Sequence, residues 1–348
     1  MGGDGSLAKT IQYLRTSPIV DQALQKGKLS FCMLPFGTGN DGAQVFNWGA
    51  SPANELWLQD LESLMRDIIT STTESLSLWN AVVDGDVFDP DGQKVDSHIL
   101  LTYYFNMGVD AVVGMAVERN RTKRRCCNYI IYALKGVYEM LCRKGDHKMQ
   151  DQVKRVVSNK QTVTGAQAQK VVADMSQLRS SPLNLVGTNL TQGYGGFLRR
   201  DAWKNSKDKL MDPGKALRNR GLAVVETSCD ENESMLEQMY DDDKMELMCH
   251  EGLTDYVDFE LARYGQVRSP YQVEMQDDIK NKGKQISLGI DGEFYEIQNC
   301  SKITFQIDKT LPKLKILKRA SAGGADGQEG SAKNILEETR GTFQPSLF

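Results

Sequence analysis

The stretch Leu34-Pro35-Phe36-Gly37-Thr38-Gly39-Asn40-Asp41-Gly42 constrains this chain more than any other. An apolar run at 29–34 leads into it and reads as a buried strand. Gly37 and Gly39, on either side of Thr38, then allow a sharp loop whose backbone amides can approach an anion closely. Ala43-Gln44-Val45-Phe46 follows as a first helical turn, with Asn40 or Asp41 available to cap it. Strand, glycine loop and helix start together outline a phosphate site. A second glycine cluster, Gly2-Gly3-Asp4-Gly5-Ser6, opens the chain, and the question is which phosphate chemistry the pair serves.

Apolar residues at Leu7, Ile11, Leu14, Val20 and Leu24 fall at helical spacing, so a helix is expected after the first loop. Residues 54–69 read as an amphipathic helix whose buried set is Leu56, Leu58, Leu61, Leu64, Met65 and Ile68. The alternation of loops, helices and a strand is that of an α/β layer. From Ser75 the pattern changes. Residues 76–83 alternate like a strand, Asp89-Pro90-Asp91-Gly92 forms a turn, and residues 99–107 return as the hairpin partner. A helical block is expected at 111–143, then a polar, weakly helical and partly disordered segment at 144–180. Short strands are expected at 183–186, 222–226, 244–249, 271–275, 285–290, 302–307 and 314–317. A charged surface insertion at 204–221 and a short helix at 254–264 interrupt them. Repeated short strands between turns argue for an antiparallel sheet. The expected division is an α/β domain at 1–74, a β-rich domain with helical insertions at 75–319, and a disordered tail at 320–348.

A chain of 348 residues is long enough for two domains with separate cores. Its net charge of -4 gives no reason to expect a nucleic-acid partner. No apolar run approaches the roughly 20 residues of a membrane span, and no secretory signal opens the chain. Seven scattered cysteines without a C-x-x-C, and three separated histidines, argue for reduced thiols in a cytoplasmic protein rather than a zinc site. Only Met1 precedes the first glycine cluster, where a strand is needed, so the opening strand of the first domain is expected upstream of this sequence.

Residues 37–42 satisfy G-x-G-x-x-G, so a dinucleotide site has to be weighed. Such a site wants an acidic residue closing the next strand roughly 20 residues on. The acids at that distance, Asp60 and Glu62, fall inside the amphipathic helix, and hydride transfer is a poor reading. Phosphoryl transfer instead needs amides around the phosphates, carboxylates for Mg²⁺ and a carboxylate base for the acceptor hydroxyl. Asp4 lies inside one glycine loop and Asp41 at the end of the other. Either alone is most simply a turn-stabilising residue. Two such loops separated by one helix–strand unit favour the kinase.

The two loops closely resemble those of the diacylglycerol kinase catalytic domain, GGDGT and P-L-G-T-G-N-D. The likeness continues through Trp48-Gly49, then Tyr104-Phe105-Asn106-Met107-Gly108-Val109-Asp110-Ala111, then Gly195-Gly196, then Ile290-Asp291-Gly292-Glu293-Phe294. The resemblance runs from residue 2 to about 318 and suits the eukaryotic enzymes. It implies an α/β nucleotide domain and a β-rich accessory domain with the active site in the cleft between them. It implies transfer of the ATP γ-phosphate to 1,2-diacylglycerol, a substrate met by peripheral association with a membrane surface, giving phosphatidate and ADP. Carried over, Gly2, Gly3, Gly5, Ser6, Gly37, Thr38, Gly39, Asn40 and Asp41 contact nucleotide, and Asp4 stands at the Mg²⁺–ATP centre. Asp4, Asp291 and Glu293 are all candidates for the base, and the sequence does not choose among them. A kinase of sphingoid bases or ceramide, and a catalytically inactive binding remnant, are the alternatives.

The chain departs from the family at several points. Ser6 replaces threonine, Gly42 replaces a large apolar residue, and Phe294-Tyr295 replaces Pro-Trp. The family's structural Mg²⁺ motif, Asp-Asp-Gly, stands here as Asp242-Asp243-Lys244, and its first strand and N-P-x-S-G loop are absent. The basic run from Arg119 to Arg125 suits either anionic lipid or a solvated helix end. Tyr129, Tyr132, Leu134 and Tyr138 are expected in the core.

Overall fold

The computed structural model describes residues 2–37, 39–50, 61–122, 125–143, 148–161, 167–175, 182–190, 239–250 and 262–320. Two helices, not one, follow the first glycine loop: α1 (Gly5–Leu14) and α2 (Pro18–Gln25). Ser17 is extended (φ -99, ψ 116) because Pro18 behind it disfavours helical backbone, and Pro18 then starts the second helix. Leu7, Ala8 and Ile11 of α1 and Leu24 of α2 turn into one apolar cluster with Phe46, Trp48 and Tyr103.

The strand expected at 29–34 shrinks to β1 (Ser30–Phe31). It pairs in parallel not with a neighbour in sequence but with the C-terminal strand Leu314–Lys318, whose other edge takes β2 (Thr72–Leu76) antiparallel. The chain end therefore completes the N-terminal layer. Trp48 holds it there: the indole Nε1 donates to Leu317 O at 2.7 Å, Asn47 Nδ2 donates to Arg319 O, and Arg319 N donates to Phe46 O. Helix α3 (Asp41–Val45) follows the second loop, and α4 (Leu61–Thr70) is the described part of the helix expected at 54–69. Its apolar face is only lightly covered. Leu64 and Ile68 touch the cluster, whereas Leu61 and Met65, expected inside, are exposed.

Among the described residues the second half builds a twelve-stranded sheet whose pairings are antiparallel. Its members include β3 (Trp79–Phe88), β4 (Lys94–Val95), β5 (His98–Leu101) and β6 (Tyr104–Gly108). The return strand expected at 99–107 is thus two strands with different partners: β5 pairs β3, while β6 joins β9 (Asn184–Thr188) and β13 (Ile286–Ile290). The segment expected to be polar and weakly helical forms the hairpin of β7 (Val153–Gln161) and β8 (Gln167–Asp174). Pairing with β12 (Tyr271–Met275) on its other edge overrides the weak helical propensity of β7. β10 (Lys244–Cys249) lies between β9 and β11 (Ala262–Arg268), so residues 262–264 are strand where a helix was expected.

β14 (Glu293–Ile307) binds the sheet together, pairing with β13, β12 and β3. Asn299, at φ 53, lies in a register shift between Gln298 and Lys302, so one long strand bends and serves all three. Alternation carries the core. Tyr271, Val273 and Met275 of β12 are buried, and Phe305 stacks between Phe105 (4.1 Å between ring centroids) and Tyr271 (5.1 Å). Helices α5 (Val109–Arg119) and α6 (Arg125–Cys142) pack on one another beside β6. Leu134 and Tyr138 of α6, expected in the core, are exposed. The expected strand at 222–226, the insertion at 204–221, Gly195-Gly196 and the tail from 321 lie outside the described residues.

Candidate functional site

The two glycine loops cross. Gly2 bridges Pro35 in parallel, and Phe36 N donates to Gly2 O at 3.3 Å. A Cβ on Gly37 would lie 2.2 Å from Gly3 Cα, so no other residue allows this backbone-to-backbone approach. Thr38 lies outside the described residues. Ser6 folds back over Gly2, whose Cβ would fall 2.0 Å from the serine Oγ. Asn40 holds the second loop from inside: left-handed at φ 59, it accepts from Gly37 N at 2.7 Å and donates to Gly37 O and Ala50 O.

Asn40 was a candidate cap for α3, yet its side chain makes no cap bond there. The cap comes from the other loop. Asp4 Oδ2 accepts from Asp41 N at 3.1 Å and Oδ1 from Gly42 N at 2.9 Å, so a carboxylate some forty residues upstream closes the first turn of α3. Burial pushes the Asp4 carboxyl above the ordinary carboxylate range, and the Gly42 and Asp41 amides oppose that push. The two acids converge: a Cβ on Gly39 would lie 3.1 Å from Asp4 Oδ2 and 3.7 Å from Asp41 Oδ2. Mg²⁺ is commonly bound by one or two carboxylates together with substrate phosphates, and Asp4 with Asp41 fit that habit. Asp242 and Asp243 do not. Asp242 has the Lys244 ammonium at 3.8 Å and accepts from Lys244 N, while Asp243 accepts from Ser77 Oγ and faces the Lys313 ammonium at 3.9 Å. A lysine ammonium thus stands near each acid of this pair. Among the described residues no group of three or more His, Cys, Asp or Glu side chains is placed to hold a metal ion.

From the large sheet, the turn Asp291-Gly292-Glu293 between β13 and β14 comes up to α1. A Cβ on Gly5 would lie 2.7 Å from Glu293 Cγ, 2.8 Å from its Oε1 and 3.1 Å from Asp291 O. Gly5 therefore lies against the Glu293 side chain and the Asp291 carbonyl, where sequence reasoning assigned it to nucleotide alone. Its two acids differ. Asp291 is 1% exposed, and its oxygens accept from Thr102 N and Oγ1, both at 2.7 Å, from Tyr103 N at 2.8 Å and from Tyr104 N at 3.0 Å. Those four donors fill its lone pairs. Burial nonetheless pushes its carboxyl up to about 6, against the opposing pull of these donors. Glu293 is open: its side chain is 36% exposed and its Oε2 meets the Lys9 ammonium at 2.7 Å.

Sequence reasoning passed over three participants. Lys9 lies one helical turn beyond Gly5, a spacing that put both on one face of α1. Thr102 precedes the recognised motif and carries no signal of its own. Tyr103 packs its ring into the space that Gly42 leaves, where a Cβ would meet the phenol carbon Cζ at 2.5 Å. The missing apolar side chain at 42 is thus replaced by an aromatic from another strand connection. Burial first, then Asp4 and Asp291, push the Tyr103 hydroxyl well above its ordinary value.

Residues 1–74 match the diacylglycerol kinase catalytic domain and residues 100–294 the diacylglycerol kinase accessory domain. The chain belongs to the diacylglycerol kinase family. Diacylglycerol kinase 1 of Arabidopsis thaliana is 21% identical over 148 residues, 41% of this chain and 19% of that protein. The eye-specific diacylglycerol kinase of Drosophila melanogaster is 25% identical over 155 residues, 41% of this chain and 10% of that protein. The chain thus spans a fifth or less of the curated relatives it matches. A solved diacylglycerol kinase from Bacillus anthracis str. Sterne superposes with a TM-score of 0.34 at 8% identity, covering 85% of this chain and 70% of that one, too distant a likeness to carry any inference.

Proposed function

We propose that this chain transfers the ATP γ-phosphate to the free hydroxyl of 1,2-diacylglycerol, giving phosphatidate and ADP, in the cleft between the N-terminal layer and the large sheet. The observation that carries this reading is the convergence of three elements. The crossed glycine loops, the Asp4–Asp41 pair and the open carboxylate of Glu293 all gather around the first turn of α1. Bare glycine backbone lets the phosphates approach, and the helix start of α1 favours negative charge beside them. Asp4 and Asp41 would hold Mg²⁺, which when bound neutralises phosphate charge.

Glu293 is the base in this reading. A general base needs a free lone pair within reach of the acceptor hydroxyl. Asp291 has given its lone pairs to Thr102, Tyr103 and Tyr104, whereas Glu293 is half-exposed beside Lys9. The carboxylate of Glu293 takes the hydroxyl proton as the glycerol oxygen bonds to the γ-phosphorus, and the bond from that phosphorus to the bridging oxygen breaks to release ADP. Asp291 positions the turn on which Glu293 stands. The substrate places the chain at a membrane surface as a peripheral protein of the cytoplasm.

Labelled ATP with diacylglycerol in mixed detergent micelles tests the reading directly. Phosphatidate is the expected product, and its absence with a folded chain would overturn the proposal. Sphingosine and ceramide, offered in the same micelles, decide the acceptor class: faster phosphorylation of either would replace diacylglycerol.

A further inference from the structure

Helix α6 carries two apolar faces, and the fold covers one of them. Ile131 and Tyr132 pack on Val109, Val113 and Val117 of α5 and on Leu183. On the other side Ile130, Leu134, Val137 and Tyr138 are 60%, 67%, 51% and 50% exposed. Their spacing places all four on one stripe along the helix. A row of large apolar side chains held in water is unusual for a soluble surface and marks a contact.

The charge around the stripe narrows the partner. Between residues 119 and 144 the sequence carries eight Lys or Arg against one acid, Glu139, in a chain whose net charge is -4. The described ion pairs of this segment, Arg119 with Glu296, Arg121 with Glu118 and Arg143 with Glu139, involve arginines that are about half exposed. The guanidinium groups stay about half in water although the acids they meet, Glu296 and Glu139, are largely buried. An apolar stripe with cations at its ends is the composition of a helix lying in the boundary of an anionic bilayer. At 18 residues, α6 does not qualify as a span, and no described helix is long and apolar enough to cross a membrane.

The inner face of the same helix packs on α5, and α5 in turn touches the candidate site through Phe294. Burial and the charges of Asp4, Asp41 and Asp291 push the Tyr104 hydroxyl well above its ordinary value, and Tyr132 of α6 adds to the push. Phe294, next to Glu293, packs against α5 so closely that a Cβ on Gly114 would lie 2.0 Å from its ring.

We propose that the outward face of α6 is the surface by which this chain rests on an anionic phospholipid bilayer, with its inner face turned toward the phosphoryl-transfer site. The proposal rests on the lipid-kinase reading for the kind of partner, and its test needs neither ATP nor diacylglycerol. Co-sedimentation of the full chain is measured with phosphatidylcholine vesicles and with phosphatidylcholine–phosphatidylserine vesicles. The wild type is expected to favour the anionic vesicles, and salt is expected to weaken that preference. Leu134→Glu with Tyr138→Glu is expected to lower binding about tenfold or more, while Ile19→Glu, on the equally exposed α2, leaves it unchanged. Ile130→Gln with Val137→Gln alters the same stripe more gently, and keeps the question answerable if the glutamate pair fails to fold; it is expected to lower binding about fivefold.

Equal binding to neutral and anionic vesicles, or unchanged binding by folded stripe variants, overturns the proposal. So does sedimentation of the wild type as a dimer that the stripe variants dissolve, which would assign the face to a second copy. Failed vesicle binding with intact turnover in micelles leaves the kinase reading standing. Intact binding with no turnover does the reverse.

Discussion

Asp291 and Glu293 are two residues apart on one turn, and their surroundings give them opposite capacities. Asp291 is buried under four hydrogen-bond donors from Thr102, Tyr103 and Tyr104. Glu293 leans on the first turn of α1, partly in water, with Lys9 as an ion-pair partner. The difference teaches that a carboxylate in an active-site motif is not thereby a base. A saturated carboxylate organises backbone, and an unsaturated one is available to a proton.

Removing Asp291 should produce the largest effect. Asp291→Ala strands three amides and a hydroxyl in the interior, and should cost about 4 kcal/mol of stability, read as a lowered denaturation midpoint. A Glu293→Ala chain with an equal loss would erase the distinction.

Acid should sharpen it. The folded carboxyl of Asp291 is pushed up to about 6 from 3.8, so between those values the folded chain binds more protons than the unfolded one. Stability contributed by this group is therefore greatest below about pH 4 and falls as pH rises toward 6, by up to about 3 kcal/mol. Asp4, also raised by burial, acts with the same sign, so Asp291→Asn is the reference. Unfolding curves across this range should show a decline in the wild type that is reduced in the variant; parallel curves would contradict the raised value.

Glu293→Gln should leave the midpoint within about 1 kcal/mol, since an exposed ion pair contributes little. Phosphatidate formation should fall about a hundredfold, the share of a general base. Undiminished turnover would return the role to another group. The smallest effect is expected at the contact itself. Gly5→Ala presses a methyl on Glu293 Cγ and Asp291 O and should cost about 2 kcal/mol, part of which Glu293→Ala in the same chain recovers. Simple addition of the two changes would mean that the contact is loose.

Much of this arrangement was legible beforehand. The glycine loops and the alternation of residues 271–275 and 302–307 are local signals, and each led to the corresponding element, whereas the boundary expected at Ser75 falls inside β2. Other expectations failed where a distant partner decided. The segment at 153–161 pairs with β12 more than a hundred residues away, and the hairpin return at 99–107 is divided between two sets of neighbours. Asn40, a good local cap by composition, braces its own loop because Asp4 already occupies the amides of α3. Leu134 and Tyr138 have core composition, and only the packing of α5 on the opposite face leaves them outside.

The ordered motifs alone pointed to the family, to the pair of glycine loops and to the set of acids to consider, because those features are written in contiguous residues. The tertiary structure decided which of the two acids of the turn is buried and which meets water. The donors that saturate Asp291 come from residues 102–104, the carboxylate that fills the space beside Gly5 comes from residue 293, and the strand that completes the first layer comes from residues 314–318. Lone pairs and van der Waals space are consumed by whatever folds against them, and no local pattern records that neighbour.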